Sequence, residues 1–309
     1  MSESTRIVVT GATGTIGSRL SAALVQRGYQ VTVFSRRPDK AVQIVPSATN
    51  YVGWTPEPHP GWVKHLEGAY GVVHLAGAPI YGKRWDDNYK NEIYNSRVQS
   101  TKGLVEAMAS VEQKPRVFVC GSGVGYYGDG GDKVLDESMP PGNKGWLTKV
   151  TIDWEAAAIR AEALGIRTVM LRTGIVLDAQ GGALPLLKMP FMFFGGGPVL
   201  PGTQWFPWIH IADQVGIIIK ALEDERVSGP INVTAPKPLT NRDFSAALGT
   251  VMGSPAWFPV PHAALWLVFG ELADTLVTGQ RALPTRIRNL GYHFQFTEAE
   301  TALRDLLKK

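Results

Sequence analysis

The sequence predicts an α/β fold of the Rossmann type, in which a doubly wound parallel sheet carries a small C-terminal α+β substrate domain. Three observations predict this fold. Short apolar runs alternate with amphipathic helical segments along the first 180 residues. A glycine-rich turn directly follows the first run, and Gly, Pro, Phe and Met become frequent after Leu177. Short strands that alternate with helices are typical of βαβ units around a parallel sheet.

The strand candidates are β-rich runs bounded by turn residues, and they lie at 6–10, 30–34, around 52, 71–75, 116–120, 167–172 and 230–234. The helix candidates carry apolar residues at helical spacing, and they lie at 16–27, 93–108 and 212–223. Thr240 is placed to cap a further helix, and Thr297 with Glu300 forms a capping box before a final helix. The segment 180–204 holds too much Gly and Pro for one regular helix.

The change of composition after Leu177 marks the first domain boundary. We expect the Rossmann domain to span residues 1–180 and to include 206–234, where a helix and a strand return to the main sheet. The C-terminal substrate domain then consists of 181–205 and 235–309.

Composition excludes several classes of protein. With 309 residues, of which 44% are hydrophobic and 19% charged, the chain can bury a large core and is not disordered. The single cysteine, Cys120, excludes an internal disulfide framework and a thiolate zinc site, and we expect no metal. No apolar run approaches the ~20 residues that span a bilayer, and residues 1–6 are unlike a signal peptide. Because the net charge of +4 is not clustered, we expect a cytoplasmic protein that binds neither membranes nor nucleic acid. A homodimer is compatible with these features.

The turn after the first strand has the spacing G-x-x-G-x-x-G. Gly11 lets the chain turn sharply, Gly14 lets the backbone approach a pyrophosphate, and Gly17 lets the helix pack closely on the strand. The helix N-terminus adds free N–H groups and a positive dipole. The alternative is a tight turn without a ligand. The residues predicted to bind the phosphates of a dinucleotide are Gly11, Thr13, Gly14, Thr15, Ile16 and Gly17.

The second strand ends in Ser35, Arg36 and Arg37. Folds that bind NAD place an acidic residue at this point, where it binds the ribose hydroxyls. Two arginines and a hydroxyl instead suit a 2′-phosphate, through charge-assisted hydrogen bonds. We therefore predict NADP(H) as the cofactor. The alternative is a solvated basic turn.

Several motifs together resemble a known family. They are the glycine loop and the short segments Gly53-Trp54, 75–80, Ser96-Arg97, 125–128, Trp154-Glu155, 172–177, 181–184, 208–213 and Ala235-Pro236. On these residues the chain resembles an atypical extended short-chain dehydrogenase/reductase of the epimerase-family branch, which includes SDR39U-type and YfcH-like proteins. The resemblance implies a Rossmann domain, NADP(H) binding and a small substrate domain. The further residues that it assigns to the cofactor are Leu75, Ala76, Gly77, Arg97, Gly121, Ser122, Arg172 and Gly174.

The catalytic signature of the wider superfamily is absent. Short-chain reductases use a Tyr-x-x-x-Lys pair, in which the lysine lowers the tyrosine pKa and binds the nicotinamide ribose. None of the nine tyrosines is followed by lysine four positions later. Alignment on Trp154 puts Leu147 and Thr151 in the places of the pair, and Arg97 replaces the asparagine of the preceding helix. The sequence therefore implies a hydride carrier without the usual proton donor.

Other side chains are candidates for the missing donor. Tyr127, in the loop after the fifth strand, is the first candidate, and Ser122, at the end of that strand, is the second. A phenol with a reference pKa of ~10 needs a cation nearby, such as Lys149 or Arg97, to act as an acid–base group. The alternative is that the tyrosines only line the pocket. The residues interpreted as structural are His74, Cys120 and His210.

We predict a largely apolar substrate pocket between the sheet and the C-terminal domain. Aromatic side chains concentrated in loops beside a cofactor site suit contact with a ligand. The candidate substrate residues are Trp85, Tyr126, Gln204, Trp205 and Trp208, beside the apolar run 189–194. The alternative is that these aromatic residues form an interdomain core or a dimer surface.

Two functions follow from these observations. The first is an NADP(H)-binding oxidoreductase, or a protein similar to nucleotide-sugar epimerases, that acts on an undefined small molecule. The second is an NADP(H)-binding redox sensor or regulator without catalysis. The absent Tyr-Lys pair favours the second, and the complete substrate domain favours the first.

Overall fold

The computed structural model of the protein describes residues 5–81 and 83–308, without the side chains of residues 268 and 269. Most of the polar opening segment therefore lies outside the described residues. In chain order, the strands are β1 (Arg6–Thr10), β2 (Gln30–Ser35), β3 (Asn50–Gly53), β4 (Gly71–His74), β5 (Val117–Gly123), β6 (Val134–Leu135), β7 (Arg167–Thr173), β8 (Ile175–Leu177), β9 (Trp205–Phe206), β10 (Trp208–His210), β11 (Gly229–Val233), β12 (Leu239–Thr240) and β13 (Arg281–Ala282).

The helices surround these strands. They are α1 (Thr15–Gln26), α2 (Pro38–Ile44), α3 (Pro60–Val63), α4 (Asp87–Tyr94), α5 (Ser100–Ser110), α6 (Trp146–Ala158), α7 (Leu184–Met192), α8 (Ile211–Glu223), α9 (Asn241–Met252), α10 (His262–Phe269), α11 (Leu272–Leu276), α12 (Thr285–Asn289) and α13 (Ala299–Leu307). A π-helical turn at Asn95–Gln99 joins α4 to α5.

Within the described residues, seven strands form one sheet in the order β11-β7-β5-β4-β1-β2-β3. All neighbouring pairs in it are parallel. The predicted Rossmann-type sheet is confirmed, including the return of the chain to the sheet at β11. The strand order reverses between β1 and β4, and open parallel sheets bind ligands in the crevice at such a point.

Apolar side chains cover both faces of the sheet. On one face, Val9 packs in a cluster with Leu20 of α1, Ile218 of α8 and Leu303 of α13. On the other face, Val8 packs in a cluster that includes Leu104 of α5 and residues of α6. The C-terminal helix therefore shares a core with the sheet, and this shared core holds it against the Rossmann layer.

One expectation about the C-terminal part was wrong. The final helix begins at Ala299 after Glu298, and no side chain caps it, so Thr297 and Glu300 do not form a capping box. The segment 180–204 is not one regular helix, as predicted, although it contains the nine-residue helix α7, which includes Pro190. Proline is tolerated there because it lies in the last turn of a short helix, where it removes few backbone hydrogen bonds. By contrast, Thr240 caps α9 as predicted, since its hydroxyl accepts a hydrogen bond from the Asp243 N–H.

Two histidines and the cysteine are buried. His74 Nδ1 lies 2.6 Å from Thr10 Oγ1, and its Nε2 lies 3.0 Å from Ser100 Oγ. Burial lowers the His74 pKa to about 3, so the ring is neutral. His210 Nδ1 accepts from the Ala212 N–H at 3.1 Å and caps α8. Burial raises the Cys120 thiol pKa to about 12. The structural interpretation of these three residues is confirmed.

In the part of the chain that the structure describes, no helix is both long and apolar enough to cross a bilayer. The same part holds no group of three or more His, Cys, Asp or Glu side chains arranged to bind a metal ion.

Candidate functional site

The glycine loop lies at the crevice between β1 and β4. Gly11 has a φ of +68°, and a Cβ there would lie 2.6 Å from the Leu75 carbonyl carbon and oxygen. A Cβ at Gly17 would lie 2.2 Å from the Gly11 carbonyl oxygen. Gly14 is exposed, and a Cβ there would meet only the Gly11 oxygen, at 3.3 Å. Gly11 and Gly17 thus serve close backbone packing, while Gly14 leaves open space beside the helix.

The N-terminus of α1 is open to an anion. No side chain caps the helix, and its first turn contains no acidic residue. The first backbone N–H groups of a helix have no partner within the helix, and the helix dipole adds positive charge there. Thr13 and Gly14 are exposed beside it. This cradle fits the phosphates of a dinucleotide.

A loop after β8 is held against the start of α1. The Gly182 N–H donates to Thr15 Oγ1 at 3.1 Å. The buried Asp178 carboxylate accepts from the Gly181 N–H at 3.0 Å and from Arg19 Nε at 3.1 Å. The Thr15 hydroxyl oxygen therefore already has a partner from the loop.

Two exposed arginine side chains lie at the end of β2. Ser35 Oγ accepts from the Arg37 N–H at 3.1 Å, which holds the turn. Arg36 and Arg37 are exposed, and neither forms an ion pair within the described residues. Two unpaired guanidinium groups at the carboxyl end of β2 fit a phosphate on the adenosine ribose.

A buried ion pair lies beside the end of β5. Arg172 on β7 binds Glu155 on α6 with two hydrogen bonds, Nε to Oε1 and Nη2 to Oε2, each 2.9 Å long. Burial opposes the charge of Arg172, but the hydrogen bonds and charge of Glu155 outweigh burial and raise the Arg172 pKa. Ser122 donates to Glu155 Oε1 at 2.7 Å. We call these three residues, with Tyr127 and Asn232, the Arg172 network.

Tyr127 is anchored in this network. Its hydroxyl accepts from Arg172 Nη1 at 2.9 Å and donates to Asn232 Oδ1 at 2.7 Å. The ring is 4% exposed, and burial, against the lowering effect of Arg172, raises the Tyr127 pKa to about 12. A buried phenol that makes two hydrogen bonds and has a raised pKa is a poor acid–base group at neutral pH. The structure therefore argues against Tyr127 as the proton donor and favours a structural role.

Lys149 lies 5.8 Å from the centre of the Tyr94 ring, and within the described residues it makes no contact with Tyr126 or Tyr127. Its side chain is 69% exposed, and its Nζ binds Asp153 on the same helix at 2.6 Å. The cation that the structure brings to the tyrosines is Arg172, whose guanidinium lies 3.5 Å from the centre of the Tyr126 ring. Lys149 projects from the outer side of α6, and its catalytic role stays a prediction.

Removing the Tyr127 hydroxyl should cost stability without affecting nucleotide binding. Tyr127→Phe leaves Arg172 Nη1 and Asn232 Oδ1 unpaired in the interior, and we expect a loss of about 1–3 kcal/mol in the free energy of unfolding. Urea unfolding measures this loss. Tyr126→Phe is the matched control, since it keeps the ring over Arg172, and it should change stability by less than about 0.5 kcal/mol. Equal stability of Tyr127→Phe and wild type would contradict the structural role.

Three residues that the resemblance assigns to the cofactor also serve packing. Arg172 is 3% exposed, and its guanidinium donates to Glu155 and Tyr127. A Cβ at Gly121 would lie 2.9 Å from the Trp154 ring, and a Cβ at Gly174 would lie 2.0 Å from the Pro207 oxygen. Neighbouring protein atoms explain these residue types, and the cofactor contacts of Arg172, Gly121 and Gly174 stay predictions.

The predicted substrate residues divide into two groups. Trp208 is 1% exposed in the core beside the sheet, and Trp85 is 6% exposed and packs edge-on against Trp146. Both tryptophans serve packing in this structure, and their contact with a substrate stays a prediction. The half-buried residues that keep an accessible surface are Tyr126, Gln204 and Trp205.

Gln204 and Trp205 lie near a residue that the sequence did not indicate. Gln204 donates through its amide to two backbone carbonyls, and its Oε1 is buried without a partner. The Arg281 guanidinium lies 4.5 Å from the Trp205 ring centre, and its Nε is buried without a partner. No motif surrounds Arg281, which lies on β13 beside β6.

The apolar run 189–194 forms surface and not an enclosed pocket. Phe191 is buried, whereas the exposed side chains of this run are Met189, Met192, Phe193 and Phe194. Trp257 is also exposed, and it donates from Nε1 to the Phe194 carbonyl oxygen at 3.0 Å. The predicted location of the substrate pocket at this run is therefore not supported by the side-chain burial.

The reversal of strand order, the glycine loop and the open start of α1 define a Rossmann protein of the dinucleotide-binding class. Comparison with known proteins identifies its family. Residues 7–234 match the NAD dependent epimerase/dehydratase family, and residues 260–306 match a domain of unknown function, DUF1731. The chain belongs to the NAD dependent epimerase/dehydratase family and, within it, to the SDR39U-type extended short-chain dehydrogenases/reductases that its motifs predict.

Three similar proteins support this assignment. The chain is 38% identical over 304 residues to the epimerase family protein SDR39U1 homolog, chloroplastic, of Arabidopsis thaliana, covering 98% of this chain and 86% of that protein. It is 36% identical over 305 residues to the mouse epimerase family protein SDR39U1, covering 98% and 99%. The crystal structure of human SDR39U1 isoform 2 with NADPH has a TM-score of 0.85 and 33% identity, covering 98% of this chain and 99% of that chain.

Proposed function

We propose that the protein is an NADP(H)-dependent oxidoreductase that acts on a small molecule carrying a carbonyl or hydroxyl group. The observation that carries the cofactor choice is the pair of exposed arginines, Arg36 and Arg37, at the end of β2, neither of which forms an ion pair within the described residues. An acidic residue is missing from that strand end, and two guanidinium groups suit a 2′-phosphate. A crystal structure of the human relative contains NADPH, which supports the same choice.

The residues that would hold the cofactor lie along the carboxyl edge of the sheet. The start of α1 with Gly14 would hold the diphosphate, and Arg36 with Arg37 would hold the 2′-phosphate. When bound, a nicotinamide cofactor supplies or accepts hydride. The protein supplies binding, orientation and an environment for proton transfer.

The candidate for the proton-transfer group in this proposal is Ser122. It lies at the carboxyl end of β5, and its hydroxyl donates to Glu155 Oε1 at 2.7 Å. Thr151, at the place of the missing lysine, donates its hydroxyl proton to backbone carbonyls of its own helix. Helix α6 therefore carries no Tyr-Lys pair. This observation favours the alternative function, an NADP(H)-binding sensor without catalysis.

The cofactor preference gives a first test. We expect NADPH to bind more tightly than NADH, and Arg36→Ala to weaken NADPH binding about 10–150-fold by removing one charge-assisted contact worth about 1.5–3 kcal/mol. Titration calorimetry measures both affinities. Arg160→Ala is the matched control, because Arg160 is exposed in the turn that leads into β7, at the other edge of the sheet. Equal affinity of the wild type for NADPH and NADH would overturn the preference.

A panel of aldehydes, ketones and alcohols separates catalysis from sensing. NADPH oxidation or NADP⁺ reduction by any member, lost in Ser122→Ala with unchanged cofactor affinity, would support the oxidoreductase. Tight NADPH binding without turnover across the panel would favour the sensor.

A further inference from the structure

Arg97 carries a buried positive charge near the cofactor crevice. It lies in the π-helical turn Asn95–Gln99, and its residue is 9% exposed. A π turn inserts one extra residue into a helix, and such turns are frequent at functional sites. The turn is a local departure from α-helix that apolar periodicity does not reveal.

No carboxylate neutralises this charge within the described residues. Arg97 Nη1 donates to the Ile93 carbonyl at 3.2 Å, and Nη2 donates to the Ala78 carbonyl at 3.0 Å. Its guanidinium also lies 5.4 Å from the Trp154 ring centre. Arg172, equally buried, instead has the full charge of Glu155 opposite it. Neutral acceptors satisfy hydrogen bonds but leave a net charge in the interior, which is costly.

The position of the guanidinium points to the ligand. A Cβ at Gly77 would lie 3.1 Å from Arg97 Cζ, so the guanidinium sits directly against the loop that leaves β4. The preceding residues of that loop, Leu75 and Ala76, are the ones that contact Gly11. Arg97 is therefore separated from the glycine loop by a single stretch of backbone.

The order of strands along the crevice decides which part of a dinucleotide Arg97 faces. The sheet runs β2, β1, β4, β5, with Arg36 after β2 and the glycine loop after β1. Arg97 lies beyond the glycine loop, at β4, on the side away from Arg36. A dinucleotide with its 2′-phosphate at β2 and its diphosphate at β1 places its other half at β4 and β5.

We infer that Arg97 binds the nicotinamide half of the cofactor, at its phosphate and ribose, and so takes the place of the lysine that α6 lacks. This inference depends on the proposed NADP(H) binding. A guanidinium on the helix before α6 supplies the cation that the Tyr-Lys pair would otherwise provide, and Gly77 gives it space. Since no carboxylate among residues 5–81 and 83–308 pairs with Arg97, its net charge is available to a ligand.

Binding of two nucleotides tests the inference. NADPH and adenosine 2′,5′-bisphosphate share the adenosine and the 2′-phosphate, but only NADPH has the nicotinamide half. We expect Arg97→Met to weaken NADPH binding about 10–100-fold. The affinity of this variant for the bisphosphate should stay within about twofold of that of the wild type. Arg97→Lys should recover part of the NADPH affinity. Arg36→Ala should weaken both nucleotides, because both carry the 2′-phosphate.

The outcomes distinguish this inference from the proposed function. If the wild type binds neither nucleotide, the proposed NADP(H) binding fails. If the wild type binds both and folded Arg97→Met binds NADPH as wild type does, only the role of Arg97 fails, and a substrate anion becomes the partner of its charge. Equal weakening of both nucleotides would also overturn the assignment to the nicotinamide half. Thermal melting confirms folding, and Arg97→Lys supplies the comparison if the methionine variant does not fold.

Discussion

Gly14→Val should weaken NADPH binding about 100-fold or more while leaving the fold intact. In the folded chain a Cβ at Gly14 meets only the Gly11 carbonyl oxygen, at 3.3 Å, and the backbone there is extended and open to any residue. The added side chain would therefore occupy the space in which a diphosphate must approach the first N–H groups of α1. The variant should therefore lose free energy of NADPH binding and keep its free energy of unfolding.

The measurement is titration calorimetry with NADPH, accompanied by thermal melting. Gly17→Ala provides a contrast, because its Cβ would lie 2.2 Å from the Gly11 oxygen and 2.7 Å from the Ala12 Cα. That variant should lose stability, since backbone atoms have to move. Unchanged NADPH affinity in a folded Gly14→Val protein would place the nucleotide elsewhere.

Arg172→Met should destabilise the protein by about 3–5 kcal/mol, because it leaves the Glu155 carboxylate buried without its partner. The side chains of the pair are 4% and 10% exposed, so solvent cannot replace the lost contact. The double variant Arg172→Met/Glu155→Met should lose less free energy of unfolding than the two single variants lose together, because no unpaired charge remains.

Urea unfolding measures these free energies. The exposed pair of Arg304 with Glu300 on α13 is the matched control, with both side chains about half exposed, at 48% and 49%. Arg304→Met should change stability by less than about 0.5 kcal/mol, as is usual for surface pairs. If Arg172→Met loses no more free energy of unfolding than Arg304→Met, the pair of Arg172 with Glu155 is not important for stability.

The sheet was predictable because its strands are buried on both faces and read as continuous apolar runs. The glycine loop was predictable because it depends on three residues at a fixed local spacing. The π-helical turn at Asn95–Gln99 was not, since one extra residue in a helix leaves the apolar pattern on either side unchanged. The capping box at Thr297 failed because the helix starts one residue later than the motif implies, with Glu298 at the N-cap position.

The candidate site was less predictable, because residue type does not show what a side chain is bonded to. Tyr127 has the chemistry of a proton donor, but its hydroxyl is committed to Arg172 and Asn232, which lie 45 and 105 positions away along the chain. Lys149 is near the tyrosines in sequence but projects from the outer side of its helix. Arg97 was assigned to the cofactor by resemblance, and only the structure shows that backbone carbonyls, and no carboxylate of the described residues, accept its hydrogen bonds.

Because Cys120 is buried, its reaction with a thiol reagent reports unfolding of the chain. The thiol lies at 0% exposure in β5, between β4 and β7, and its raised pKa keeps it in the unreactive protonated form. Reaction with a thiol-selective reagent therefore requires the central sheet to open. Since the chain holds one cysteine, every labelled molecule records one such opening, and the labelling rate measures how often the centre of the Rossmann layer comes apart in native buffer.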